Sequence, residues 1–115
     1  MNRPATPAAE RVDDRPLLEA CKAAVHRIVP DATVIFYGSR ARRSAQPESD
    51  YDLLILVDAE VHPDLEDRIG DALYDIELKQ DVLISALIFN RDTWDEPRYR
   101  ALPLHESIDR EGIIL

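Results

Sequence analysis

Two segments of the chain carry apolar residues three and four positions apart, which is the spacing of one helix face. The first runs from residue 15 or 16 to 29 and the second from residue 63 or 64 to 79. This pattern predicts two amphipathic helices, each with one face turned to a core. The two apolar stripes comprise Leu17, Leu18, Cys21, Val25, Ile28 and Val29 in the first helix, and Leu65, Ile69, Ala72, Leu73 and Ile76 in the second.

Three other segments are continuously apolar and rich in β-branched residues: 32–37, 53–57 and 82–89. Runs of this length and composition are typical of buried strands. Towards the C-terminus, residues 103–110 are expected to form a short helix. The final residues 113–115 are all apolar, so we expect either a last edge strand or, if they stay exposed, a surface for a partner.

Length and composition predict one domain of ordinary globular type. The chain has 115 residues, of which 45% are hydrophobic, enough for one modest core. Residues 1–14 carry prolines and few large apolar groups, so we expect a flexible N-terminal segment followed by a single domain over residues 15–115. No run is long enough to cross a membrane and no secretory leader is visible, which favours the cytoplasm. The lone cysteine, Cys21, is expected in the core.

The charge balance argues against a nucleic-acid partner. There are 23 acidic and 14 basic residues, a formal net charge of −9. Binding to DNA or RNA is driven by neutralisation of phosphates, so an acidic domain is a poor general binder. Arg40, Arg42 and Arg43 are a local exception. They either meet a triphosphate or an acidic partner, or form an exposed basic helix face.

The segment Tyr37-Gly38-Ser39 ends the first predicted strand at a turn. We expect a helix from Ser39 to about Ala45, with Ser39 as its N-cap. Glycine has no side chain to keep a ligand away, so the free backbone N–H groups of such a turn suit a phosphate. The alternative is an ordinary turn with no ligand.

Two carboxylates, Asp50 and Asp52, stand at the start of the second strand. Strand side chains alternate, so both should project to one face with Cα atoms roughly 6.5–7 Å apart. Two negative charges at that separation are costly unless a cation lies between them. Mg²⁺ suits such a place because it prefers one or two carboxylates together with substrate phosphate oxygens.

The order Gly38-Ser39, ten intervening residues, then Asp50-Tyr51-Asp52 before a buried strand resembles the nucleotidyltransferase superfamily that includes DNA polymerase β. It is most similar to the minimal, single-domain nucleotidyltransferases of bacteria and archaea. The resemblance implies an α/β (α+β) fold, a small mixed β-sheet flanked by helices. One departure is Arg43, which stands where many minimal members carry glycine.

The resemblance also implies a reaction, the transfer of a nucleoside monophosphate from a nucleoside triphosphate to a hydroxyl. Gly38, Ser39 and Arg42 would bind the nucleotide, while Asp50 and Asp52 bind Mg²⁺. A third acidic residue on a neighbouring strand completes the metal site in that family, and Asp81 matches it best by order. Asp81 can equally be a turn residue before the strand.

The minimal relatives often act on a HEPN-type toxin, whose tyrosine is adenylylated by its antitoxin. We therefore expect ATP as substrate and a HEPN-type partner protein. An inactive antitoxin that acts by binding alone, and a transferase for a cationic small molecule, remain as alternatives. The acceptor, the choice of nucleotide and any homo-oligomer are left open. Trp94 and Tyr99 either stack on a base or belong to the core.

Overall fold

The computed structural model describes residues 14–42 and 50–115. Residues 1–13 of the expected flexible segment, and residues 43–45 of the helix expected from Ser39 to Ala45, lie outside these ranges. In chain order the elements are α1 Arg15–Ile28, β1 Thr33–Tyr37, α2 Gly38–Ala41, β2 Tyr51–Val57, α3 Pro63–Gln80, β3 Ile84–Asn90, α4 Arg91–Trp94, α5 Pro97–Arg100, α6 Pro103–Glu111 and β4 Ile113–Ile114.

The sheet is mixed and has the strand order β3-β2-β1-β4. Strand β1 pairs antiparallel with both β2 and β4, whereas β2 and β3 are parallel. Strand β2 lies at the centre, and its residues Leu53, Leu54 and Ile55 are completely buried. The predicted α/β architecture with a small mixed sheet flanked by helices is confirmed, and residues 113–114 form the expected edge strand.

Helices α1 and α3 cover one face of the sheet with the stripes that the spacing predicts. Leu17, Cys21 and Val25 of α1 join Leu65, Ile69 and Leu73 of α3 in one core with the inward side chains of the strands. Burial, reinforced by the charge of Glu77, raises the pKa of the Cys21 thiol to about 11. A thiol that stays protonated is a poor nucleophile, so Cys21 is a core residue as expected.

The other face carries a smaller core built by the C-terminal segment. Leu54 of β2 packs there with Trp94 and Ile108. The Trp94 ring stacks on His105 with centroids 4.4 Å apart, and Phe89 lies 5.0 Å away. Trp94 is thus a core residue rather than a platform for a base. The short helices α4 and α5, which carry Trp94 and Tyr99, cannot be recognised from the hydrophobic spacing.

The starts of α2 and β3 differ from the prediction. Helix α2 begins at Gly38 with Tyr37 at its N-cap and no capping side chain, so the prediction of Ser39 as N-cap is wrong. Gly38 has a φ of +85°, which lets the chain turn directly from strand to helix. The helix therefore begins one residue before the predicted start at Ser39. Strand β3 begins at Ile84 rather than at 82, because the N–H of Val82 still bonds to Glu77 at the end of α3. Over the described ranges, no helix has the length and apolar character needed to cross a membrane.

Candidate active site

The candidate site lies where β1 ends and β2 begins. In the antiparallel register Tyr37 stands directly opposite Asp52, and in the parallel register Asp52 stands beside Ser85 of β3. Paired residues in a sheet project to the same face. These three side chains therefore share the face of the sheet that points away from α1 and α3. The turn at Gly38 follows Tyr37 immediately. Sheet pairing therefore brings the Gly38-Ser39 turn against the Asp50-x-Asp52 segment.

Gly38 is required at this point for two separate reasons. Its φ of +85° is a conformation that L side chains rarely adopt. A Cβ atom built on Gly38 would also collide with Oδ2 of Asp52, and would lie only 3.2 Å from Cγ of the same residue. The absence of a side chain thus allows the backbone of the turn to approach the carboxylate closely. A phosphate held by the turn would lie next to Asp52.

The two carboxylates at the start of β2 repel each other. Asp52 is half-buried, and that burial raises its pKa; the charge of Asp50 raises it further, while Arg42 opposes the shift. Asp50 is exposed. A pair of acidic side chains of this kind is stabilised by a cation, so the donor set fits one Mg²⁺ ion carried in with nucleotide phosphates.

Tyr37, the cross-strand neighbour of Asp52, belongs to the same environment. Burial raises the pKa of its hydroxyl, and the charge of Asp52 adds to the shift. Its ring packs against the smaller core. Tyr37 therefore forms an apolar wall beside the carboxylate. Sequence reasoning assigned Tyr37 to the strand but gave it no part in the site.

Arg42 ends α2 and is held by the last helix. Its Nη1 donates a hydrogen bond of 3.1 Å to Oε2 of Glu111, and its side chain remains 45% exposed. The hydrogen bond from Arg42 is the main reason that the pKa of Glu111 is lowered. Arg42 also acts electrostatically on Asp52. Arg42 thus links the end of α2 to α6 and acts on the charge of Asp52.

Arg40 contacts Tyr51, whose side chain belongs to the core under α1 and α3. Its guanidinium carbon is 4.3 Å from the centroid of the Tyr51 ring, and its Nη1 donates to the Tyr51 hydroxyl at 3.2 Å. That hydroxyl in turn donates to Oδ1 of Asp14 at 2.7 Å. Burial and the bond to Asp14 raise the pKa of Tyr51 to about 12. These contacts anchor the start of β2, and hence both carboxylates, to α1. Arg43 lies outside the described residues.

The structure does not group Asp81 with the carboxylate pair. Asp81 ends α3 in a left-handed conformation with φ 55°, is exposed, and precedes the strand rather than lying on it. Within residues 14–42 and 50–115, no three His, Cys, Asp or Glu side chains lie close enough together to hold a metal ion. The nearby Glu77 is already engaged, because its Oε2 accepts the N–H of Ile84 at 2.8 Å.

A cavity of about 410 Å³ opens at the other end of the parallel strands, away from Asp52. Strands β2 and β3 begin beside the carboxylates and run towards it. It contains none of the predicted site residues, so it is separate from the candidate site. Its lining consists of Glu60, Val61, Ile88, Phe89, Asn90 and Thr93.

The chain matches the model of a known family. A family model described as a nucleotidyltransferase domain matches residues 18–108. This range contains the turn at Gly38, both carboxylates and all the strands except β4. No curated protein matches the chain.

Proposed function

The chain belongs to the nucleotidyltransferase domain family, and on that premise we propose that it transfers AMP from ATP to a hydroxyl of a partner protein. Family membership supports nucleotidyl transfer in general. The finer statement, that ATP is the donor and a HEPN-type toxin the acceptor, draws on the resemblance of the Gly38-Ser39 and Asp50-x-Asp52 segments to minimal nucleotidyltransferases. The protein would then be the antitoxin of such a pair.

The observation that carries this proposal is the contact between the turn and the carboxylate. Gly38 brings the chain so close to Asp52 that no side chain fits between them. Phosphates bound by the turn would share their counter-ion with Asp50 and Asp52. Mg²⁺ would be held by these two residues, and when bound it neutralises phosphate charge.

The remaining residues would bind and orient the nucleotide. Backbone groups of Gly38 and Ser39 suit the terminal phosphates, and Arg42 can exchange its carboxylate partner Glu111 for a phosphate oxygen. In the transfer, the acceptor oxygen bonds to the α-phosphorus and the bond to the bridging oxygen breaks. Pyrophosphate leaves with that electron pair, and the hydroxyl proton passes to solvent or to a base on the partner.

The charge of the chain supports a protein acceptor. A net charge of −9 favours encounter with a basic partner and disfavours nucleic acid. Acidic surface alone would also attract a cationic small molecule, so the acceptor has to be tested directly.

The test is intact-mass analysis of the HEPN-type partner after incubation with this chain, ATP and Mg²⁺. We expect the partner to gain one or more AMP units. The control is the double variant Asp50→Asn/Asp52→Asn, which keeps the size of both side chains but removes their charge, and which should transfer nothing. A partner that forms a stable complex but gains no mass would refute the transfer of AMP to that partner.

A second candidate function is an antitoxin that acts by binding alone. The small number of acidic side chains at the candidate metal site favours it. Among the described residues the carboxylate pair has no third acidic neighbour. Neutralisation by contact needs no catalysis, so the double Asn variant would then still protect cells against the toxin. Loss of protection in that variant would instead support the enzyme.

A further inference from the structure

The start of β3 forms one side of the candidate site. Asp52 is in register with Ser85, and Tyr51 with Ile84. The N–H of Tyr51 donates to the carbonyl of Leu83 at 2.9 Å, so the backbone of Leu83 lies against the start of β2. Ser85 lies opposite Asp52, and the same register continued by one residue would place Leu83 beside Asp50.

Alternation along the strand decides which side chains face the carboxylates. Ile84 packs into the core under α1 and α3, as does Tyr51. Its neighbours Leu83 and Ser85 accordingly project to the other face, which is the face of Asp52. Leu83, which directly precedes β3, is 61% exposed there, an uncommon position for a large apolar side chain.

From this register we infer that Leu83 holds the position from which β3 would supply a third metal ligand, and that the site binds one divalent cation with its nucleotide. The inference rests on the proposed function, because it concerns the metal-bound nucleotide. Leucine has no donor atom, and Ser85 offers only a neutral hydroxyl. Asp81 precedes Leu83 and stands at the end of α3.

The charge of the ligands limits how many Mg²⁺ ions the site can hold. Two carboxylates and a triphosphate satisfy one Mg²⁺, which also keeps several waters. A second ion about 3.5–4 Å away would add two positive charges, and it needs a further anionic ligand to hold it. Within the described residues β3 provides none.

The test counts Mn²⁺ ions bound per nucleotide complex. The full chain is titrated with Mn²⁺ in the presence of saturating α,β-methylene-ATP, and free Mn²⁺ is followed by its electron paramagnetic resonance signal. We expect one bound ion in the unmodified chain and two in Leu83→Asp, which would place a carboxylate beside Asp50.

Leu78→Asp is the matched control. Leu78 is 64% exposed, close to the value for Leu83, but lies on the outer surface of α3. The same change of charge there should leave the count at one. Circular dichroism checks that each variant folds. If Leu83→Asp does not fold, Ser85→Asp is used instead to add a carboxylate beside the pair.

Two ions in the unmodified chain would overturn the inference, and Asp81→Asn would then test whether Asp81 supplies the extra ligand. No bound ion in the nucleotide complex would overturn it as well. Failure of the proposed function looks different: one ion and one nucleotide bind, but no AMP reaches the partner.

Discussion

At the scale of single residues, the site depends on the approach of Gly38 to Asp52. Hydrogen bonding between β1 and β2 sets the separation of the two backbones, and Gly38 fills the remaining space with a hydrogen atom. The positive φ and the close contact are independent requirements for glycine. Both would be violated by the smallest possible side chain.

Gly38→Ala should therefore destabilise the fold by roughly 1–3 kcal/mol from the left-handed backbone alone, with the collision adding to that cost. Urea unfolding measures the difference. Gly70→Ala is the matched control: nothing lies within 4 Å of a Cβ at Gly70, which is exposed on α3, so the variant should gain up to about 1 kcal/mol from helix propensity. Equal stability of the two variants would contradict this account.

Asp52 predicts a dependence of stability on pH. Burial and then Asp50 raise its pKa above the ordinary value of 3.8, so the protonated form is favoured in the folded chain. The contribution of protonated Asp52 to the stability of the fold is fully present below pH 3.8. It is lost as the pH rises through the pKa of Asp52 in the folded chain. At neutral pH the ionised carboxylate thus works against folding. Removing its charge should relieve that cost.

Asp52→Asn is expected to raise the Tm at pH 7 while abolishing transfer, and the gain in Tm should shrink towards zero below about pH 3.8. Thermal unfolding across this range is the measurement. Asp71→Asn, on the exposed surface of α3, controls for the loss of one negative charge from an acidic chain. If the gain in Tm for Asp52→Asn is no larger than that for Asp71→Asn, the ionised carboxylate of Asp52 does not work against folding.

At the scale of elements, one contact ties the site to the C-terminal segment. Arg42 at the end of α2 pairs with Glu111 at the end of α6 across 69 positions of the sequence. Glu111 also lies 3.5 Å from Arg110. If Arg42 binds the triphosphate, Glu111 competes for the same guanidinium.

Glu111→Gln should therefore tighten nucleotide binding by roughly two- to five-fold, the range expected for loss of a partly exposed ion pair. Isothermal titration with α,β-methylene-ATP and Mg²⁺ measures this. Glu106→Gln is the control, because Glu106 is also on α6 and pairs with Arg110 at 3.2 Å. It should leave the affinity unchanged. Weaker binding in Glu111→Gln would show that Glu111 positions Arg42 rather than competing for it.

Element prediction succeeded where periodicity was long and failed where structure depends on contacts. The stripes of α1 and α3 and the runs of β1 and β2 give a strong local signal. Helices α4 and α5 have four residues each, too few for a period to be recognised. They owe their place to Trp94 and Tyr99, whose rings pack around Phe89.

At the scale of the whole molecule, the sheet separates two sets of contacts. The larger core under α1 and α3 stabilises the strands, and the other face carries the carboxylates beside the smaller core. Asp52 thus lies on a supported strand with one face available to ligands. The net charge of −9 favours the approach of basic partners to that face.

Net charge predicts that the chain does not bind nucleic acid through general electrostatics. A labelled DNA duplex should show no saturable change in fluorescence anisotropy up to about 100 µM protein at low salt, where phosphate contacts are strongest. Saturable binding that weakens steeply with added salt would contradict this. It would mean that the arginines beside the turn form a basic surface despite the acidic total.

The amino-acid sequence by itself determined the main helices and strands, the Gly38-Ser39 turn and the Asp50-x-Asp52 pair. Each of these is encoded in residues that are close together in the chain. Tertiary structure alone decided which residues surround the pair, because strand register and helix packing bring together distant positions. It placed Ser85 on the face of Asp52, left Asp81 at the end of α3, and joined Arg42 to Glu111.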